Sequence, residues 1–279
     1  MRTPIILLTD FGQQDPYAGA MKGVILQRVD VPLVDLTHDI PPHDIRRAAL
    51  TLWQSYRYFP RGSVFLVVVD PGVGTRRLPV LVETQGYRFV GPDNGVLTYV
   101  LDDKARAWAL VNPSFHLPEP STTFHGRDIF APAAAYAAMG VPGKAFGPIV
   151  PTLQRIPLPR WRWGSAGLEG ETLYADRFGN VVTSLGVLRR QTEGDWALES
   201  WPRPGKMYTL QPRAVRLPRH DMLLPLVQTF ADVPPDSAAA LVGSSGLIEI
   251  VANGASAARM LDLQPGEPVL LLSRKRWLG

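Results

Sequence analysis

The strongest constraint on how this chain can fold is a set of short, continuous apolar runs in its first half. Ile5–Thr9, Pro32–Leu36, Val64–Val69 and Val80–Glu83 have the length of strands and little polar interruption. Such runs suit strands buried on both faces. Between them, Tyr17–Val29 and Asp44–Tyr58 show helical spacing, with Asp15 before Pro16 and the segment Pro42–Asp44 as helix entries. Ala131–Met139, rich in alanine and opened by Pro132, is a further helix. This alternation predicts an α/β N-terminal domain with a mainly parallel sheet covered by helices.

The rhythm changes near residue 141. Prolines 142, 148, 151, 157 and 159 and glycines 143, 147, 164 and 167 exclude helix and central strand there. Beyond this stretch, Glu171–Ala175, Asn180–Thr183, Met207–Leu210, Leu247–Val251 and Val269–Ser273 read as strands separated by turns. The expected organisation is an α/β domain over 1–150, a Pro-rich linker over 151–166, and a smaller, mostly antiparallel C-terminal β-barrel domain over 167–279.

Composition narrows the function classes. The chain has 279 residues, 46% of them hydrophobic, which is enough for a substantial core and argues against disorder. The absence of cysteine excludes disulfides, thiolate metal sites and a cysteine nucleophile. No run of 18 apolar residues is present, and the apolar stretch after Met1 is too short for a signal sequence, so a cytoplasmic protein without membrane contact is expected. The net charge of +4 comes from scattered arginines and forms no basic stripe, so no nucleic-acid partner is expected.

Several runs stop at an acidic residue: Asp10 after Thr9, Asp35 after Val34, Asp70 after Val69, and Asp93 in Gly91–Gly95. The carboxyl ends of parallel strands share one edge, where open α/β sheets bind ligands, so Asp10, Asp70 and Asp93 are expected to converge. One such aspartate alone more often caps a helix or forms a turn. Together they suit three uses: holding Mg²⁺ for phosphoryl chemistry, accepting hydrogen bonds from a ribose diol, or orienting a water. No GxGxxG or Walker lysine motif is present, nor HxH or HExxH spacing, which disfavours a pyrophosphate cofactor and a histidine metal site.

Two further segments are dense in polar groups. In Asp70–Arg77 the sequence Pro71-Gly72-Val73-Gly74 turns the chain sharply and returns Arg76 or Arg77 towards Asp70. An arginine there would pair with and orient the carboxylate; on the surface it would be an ion pair of little consequence. Phe124-His125-Gly126-Arg127-Asp128 opens the alanine-rich helix, where the helix N-terminus favours a neutral His125 able to accept a proton.

The ordered series Thr9-Asp10-Phe11-Gly12, Asp35-Leu36-Thr37-His38-Asp39-Ile40, Asp70-Pro71-Gly72-Val73-Gly74-Thr75 and Gly91-Pro92-Asp93-Asn94-Gly95 continues through both halves. It runs on through Phe124-His125-Gly126-Arg127-Asp128 and Asp176-Arg177-Phe178-Gly179-Asn180 to Ser244-Ser245-Gly246-Leu247-Ile248-Glu249-Ile250. The series resembles the S-adenosyl-L-methionine (SAM) hydrolases that form adenosine, the SAM hydroxide adenosyltransferases, which are related to the SAM-dependent fluorinase and chlorinase. The resemblance implies an α/β domain, a β-barrel domain and a homotrimer whose sites lie between the N-domain of one subunit and the C-domain of the next. It implies Asp70, Arg77 and His125 as catalytic residues and Asp10 as the ribose-binding carboxylate, with Phe11 beside it. Asp176, Phe178 and Asn180 match adenine-side or methionine-side contacts, as do Phe230, Ser245, Glu249 and Val251.

The resemblance also implies a reaction: displacement at ribose C5′ of SAM by water, giving adenosine and L-methionine. The sulfonium leaves as a neutral thioether, so no metal and no cofactor are expected, SAM being the substrate. The halogenating relatives carry an aromatic residue at the position of Asp70, and an ionised carboxylate there would repel halide. His43 stands where the fluorinase has tryptophan, which leaves that part of the ligand wall open. A SAM- or adenosine-binding sensor, a SAM-dependent chlorinase and a Mg²⁺-dependent phosphoesterase are the other readings.

Overall fold

The computed structural model of the protein describes residues 3–192, 195–201, 205 and 207–276. The chain forms two compact units, Met1–Ile156 and Pro157–Gly279, so the break falls inside the proline-rich segment.

In the N-terminal unit, β1 (Ile5–Thr9), β2 (Leu33–Thr37), β3 (Val64–Val68), β4 (Pro79–Thr84), β5 (Tyr87–Pro92) and β6 (Arg106–Ala109) form one sheet. Its order is β2-β1-β3-β5-β4-β6. The pairs β1/β2, β1/β3 and β3/β5 are parallel, whereas β4 runs antiparallel to both β5 and β6. The sheet is therefore mixed, with three parallel and two antiparallel pairings. The cause is the turn between β4 and β5, where Gln85 and Gly86 both have positive φ (53° and 80°), the signature of a two-residue type I′ hairpin. Apolar continuity in Val80–Glu83 reports burial but not strand direction. The strand β2 also departs from expectation: it is a sheet edge and is half exposed.

The two faces of the sheet are covered differently. Ile5 and Leu7 of β1 join Val64, Leu66 and Val68 of β3 against α1 (Tyr17–Leu26) and α3 (Ala131–Ala138). The small side chains of α3 let it approach the strands closely, and Ala131, Ala133, Ala134 and Ala135 are fully buried. On the other face Phe65 stacks on Phe89 at 5.2 Å, and Tyr56, just past α2 (Ile45–Ser55), meets Phe89 edge-on. Asp44 caps α2, its Oδ1 accepting from Arg47 N at 2.8 Å. Replacing Asp44 with alanine should lower stability by about 1 kcal/mol, measurable as a urea-midpoint shift without loss of the fold.

The C-terminal unit contains β7 (Arg162–Trp163), β8 (Leu168–Ala175), β9 (Val181–Thr192), β10 (Asp195–Glu199) and β11 (Met207–Leu217). It continues with β12 (Met222–Val227), β13 (Ala238–Val242), β14 (Leu247–Ala252), the short α4 (Ala257–Met260) and β15 (Pro268–Arg276). Their order is β10-β9-β14-β13-β12-β11-β15-β8-β7, and the extra pairs β10/β11 and β8/β9 close the sheet on itself as a β-barrel. Among the described strand pairings of this unit β12/β13 alone is parallel. β7, inside the proline-rich segment, is an edge strand paired with β8, the place where prolines are tolerated. Leu168, Leu185, Leu198, Leu210, Ile248 and Leu271 fill the interior.

Candidate active site

The register Thr9↔Val68 between β1 and β3 brings the residues after both strands to the same sheet edge. Asp10 and Asp70 there line one cavity of about 550 Å³, together with Phe11, His43, His125 and Arg127. Phe11, Tyr17 and Phe124 form an aromatic cluster in its wall, with ring centroids 5.2–5.9 Å apart. A cleft of this size, largely apolar with few converging polar groups, suits a nucleoside-sized ligand.

Asp70 is the most constrained of the polar groups. The loop after it folds back through Val73 N–H to Asp70 O (3.2 Å) and Thr75 N–H to Gly72 O (3.1 Å). Gly74 makes the reversal possible: its φ is +76°, and a side chain there would meet the Thr122 carbonyl. The loop delivers Arg77, whose Nε donates to both Asp70 oxygens at 3.0 and 2.9 Å. Arg77 Nη2 also bonds Asp70 Oδ2, and it reaches His125 Nδ1 at 2.8 Å. The side chains of Arg77 and Asp70 are 8% and 5% exposed, so this is a buried pair. Phe130 lies beneath the guanidinium, 5.2 Å from ring centroid to Cζ.

This geometry fixes the state of His125. A guanidinium can only donate, so Nδ1 is the acceptor and the neutral ring carries its proton on Nε2. Burial and then the adjacent Arg77 charge push the His125 pKa below its ordinary 6.5, against weaker opposing pulls from Asp70 and Asp128. The ring sits at the start of a π-helical turn, Gly126–Phe130, that leads into α3.

Asp10 lines the cavity, and its Oδ2 accepts the His43 N–H at 2.8 Å. Asp93 does not line the cavity; its Oδ1 accepts from Gln154 N at 2.8 Å, and burial pushes its pKa up. The expected third carboxylate is thus a loop anchor. Its neighbour Asn94, unassigned from sequence, supports the site instead: Nδ2 donates to the Val69 carbonyl at 2.9 Å, next to Asp70. Arg127 is a second residue that sequence reasoning passed over. It lines the cavity, lies over Phe124, and is clamped by Asp128 at 2.6 and 3.0 Å. The adjacent Arg-Asp pair in a helix-opening motif was the available signal. Among the described residues no group of three or more histidine, aspartate or glutamate side chains is arranged to hold a metal ion.

The C-terminal unit has its own cavity of about 560 Å³, lined by Phe178, Asn180, Phe230 and Ser256 among others. Phe178 is 78% exposed and Phe230 47%, unusual for rings with no covering partner in this unit. Asp176 shapes the rim: its Oδ1 accepts from Phe178 N and Asn180 N at 2.9 Å, and Oδ2 from Asn180 Nδ2 at 3.0 Å. Glu249 is half buried, and burial followed by the nearby Asp176 charge raises its pKa. Ser245 lies in the turn before β14, its Oγ accepting from Leu247 N at 3.4 Å. Neither residue lines the cavity. The Val251 side chain is fully buried with Val233, Ala239 and Leu241, which leaves its main chain as the part able to meet a ligand.

Comparisons with known proteins agree with this layout. Residues 5–147 match the SAM hydroxide adenosyltransferase N-terminal domain and residues 170–270 the SAM hydroxide adenosyltransferase C-terminal domain. The chain is similar to an (R)-S-adenosyl-L-methionine hydrolase of Thermus thermophilus, with 41% identity covering 96% of this chain and 99% of that protein. It is also similar to the (R)-S-adenosyl-L-methionine hydrolase of Salinispora tropica, with 36% identity over 94% of this chain and 95% of the relative. Among solved structures, an uncharacterized conserved protein from Thermotoga maritima superposes with a TM-score of 0.81 at 30% identity, covering 96% of this chain and 99% of that one.

Proposed function

This chain belongs to the SAM hydroxide adenosyltransferase family, and on that premise we propose that it hydrolyses SAM at ribose C5′ to adenosine and L-methionine. The observation that carries the reading is Asp70, gripped by Arg77 beside a neutral His125, in the same cavity as Asp10. The water oxygen forms a bond to C5′ as the C5′–S bond breaks, and the bonding pair goes to sulfur. The sulfonium thereby becomes the neutral thioether of methionine, and one proton is released. Asp70 orients the attacking water and takes up that proton. Arg77 fixes the carboxylate in direction and matches its charge. His125 joins the network through Nδ1 and keeps an N–H at Nε2.

Asp10 accepts hydrogen bonds from the ribose hydroxyls, and Phe11 packs beside the sugar. Alignment of water, C5′ and sulfur supplies most of the rate in such a displacement. Neither a metal nor a cofactor is required, because the leaving group is already activated by its positive charge.

The proposal includes a homotrimer in which Asp176, Phe178, Asn180, Phe230, Ser245 and Glu249 of one copy complete the cavity of another. Exposed aromatic rings at Phe178 and Phe230 support it. Light scattering on the purified chain should give three times the monomer mass.

The deciding experiment is chromatography of products from SAM, with and without chelator and with and without chloride. Equal amounts of adenosine and methionine, unchanged by either addition, are expected. Saturable binding without product would mean a sensor. Chelator-sensitive turnover, or a 5′-chloro-5′-deoxyadenosine peak, would also overturn the reading.

Acid should inactivate the enzyme through His125. Protonation would place an N–H against Arg77 Nη2, where an acceptor is needed. Because the native pKa lies below 6.5, the loss sets in below that pH. The unfolded chain binds this proton first, so stability also declines as pH falls from about 6.5 towards the native value. A pH profile of kcat/KM should show an acid limb with its midpoint below 6.5; a midpoint above it contradicts the assignment.

A further inference from the structure

A polar chain that runs from two buried side chains, Thr9 and His38, out to Asp35 and Lys22 takes no part in the proposed chemistry. Thr9, the last residue of β1, is fully buried, and His38, the residue after β2, is 1% exposed. Thr9 Oγ1 lies 2.7 Å from His38 Nδ1 and accepts the Phe11 N–H at 3.3 Å. The backbone carbonyl of His38 accepts the Gly12 N–H at 2.8 Å. On its far side, His38 Nε2 lies 3.1 Å from Asp35 Oδ1, in electrostatic contact but off the line of a hydrogen bond. Asp35 Oδ2 accepts from Lys22 Nζ of α1 at 2.6 Å. Burial pushes the Asp35 pKa up, but the contacts with Lys22 and His38 outweigh it and hold the group below the ordinary carboxylate range.

We propose that His38 is a positioning residue that sets the Asp10–Gly12 turn, and through it the ribose-facing carboxylate. The inference rests on the reading of Asp10 as the ribose-binding group. Donor directions make the chain specific. The Phe11 N–H can only donate, so one lone pair of Thr9 Oγ1 receives it; the Asp35 carboxylate 3.1 Å from His38 Nε2 favours a proton there, which leaves Nδ1 to accept the Thr9 hydroxyl. The ring proton then sits on Nε2, facing an Asp35 carboxylate that Lys22 steadies. Asp10 is thereby fixed from both sides: Thr9 before it and the Phe11 N–H after it lead through Thr9 Oγ1 to the His38 imidazole, while the Gly12 N–H is held by the His38 main-chain carbonyl. Misplacement of a binding carboxylate by about 1 Å costs on the order of a hundredfold in rate.

The test is a double-mutant cycle read by calorimetric affinity for adenosine and by kcat/KM for SAM. His38→Leu fills the space without an acceptor, His38→Asn restores an acceptor near Nδ1, and Thr9→Val removes the hydroxyl at nearly constant shape. His38→Leu and Thr9→Val should each weaken adenosine binding by roughly tenfold or more, and His38→Asn should recover most of the loss. In an Asp10→Ala background the same changes should add almost nothing. Additive losses, or no loss from Thr9→Val in a folded protein, would overturn the positioning role while leaving Asp10's function intact. Unchanged adenosine affinity in Asp10→Ala itself would instead overturn the reading of Asp10, and this inference with it.

Discussion

Asp70→Asn should lower kcat for adenosine formation by about three orders of magnitude, within the range general-base catalysis contributes, while adenosine affinity stays near that of the parent. Asparagine keeps the size of the side chain and a carbonyl oxygen for Arg77, but it cannot take up the proton of the attacking water. The affinity control matters because the ribose contacts are assigned to Asp10, on a different strand. Single-turnover measurement of adenosine release, beside calorimetric binding, separates the two. Turnover within a few fold of the parent enzyme would remove Asp70 from the chemistry.

Arg77→Met should be the most destabilising single change in the site, by about 3–5 kcal/mol, because it leaves a buried carboxylate without its counter-charge. Arg77 and Asp70 side chains are both more than nine-tenths buried, and the guanidinium also supplies the donor to His125. Removing both charges, in Asp70→Asn with Arg77→Met, should recover most of that stability, since the carboxylate that suffered is gone. Urea unfolding of the two single variants and the double variant measures the coupling directly. A cost below about 1 kcal/mol for Arg77→Met would place the pair in the class of solvent-screened surface bridges. Arg77→Lys should not rescue activity, because an ammonium cannot span Asp70 and His125 with the planar fork seen here.

The elements that sequence predicts well are those whose pattern is set by burial on both sides. β1 and β3 follow from Ile5–Thr9 and Val64–Val69, and their shared exit edge follows from being parallel neighbours. β13 shows the opposite case. Ala238–Val242 is alanine-rich and favours helix by propensity, yet pairing with β12 and β14 makes it a strand. The direction of β4 was hidden because a two-residue turn decides it, and Thr84-Gln85-Gly86-Tyr87 is a weaker signal than Asn-Gly.

In the site, Asp70 and Arg77 were legible because a tight glycine loop must return something to its own start. Asn94 was not, since an amide that braces a neighbouring strand's carbonyl leaves no periodic trace. The burial of the Val251 side chain was hidden for a related reason: position along a motif does not tell which face of a strand a side chain takes.

His43 holds a left-handed backbone (φ 68°) although it is not glycine, a conformation that costs roughly 1 kcal/mol. What Asp10 receives from it is the main-chain N–H, which every residue except proline can offer. Residues that tolerate a left-handed backbone, such as glycine, asparagine or aspartate, can therefore replace the imidazole while the anchoring of Asp10 stays constant. The wall of the cavity is in this sense modular: the shape presented at position 43 can drift or be redesigned while the main-chain anchor of Asp10 stays the same.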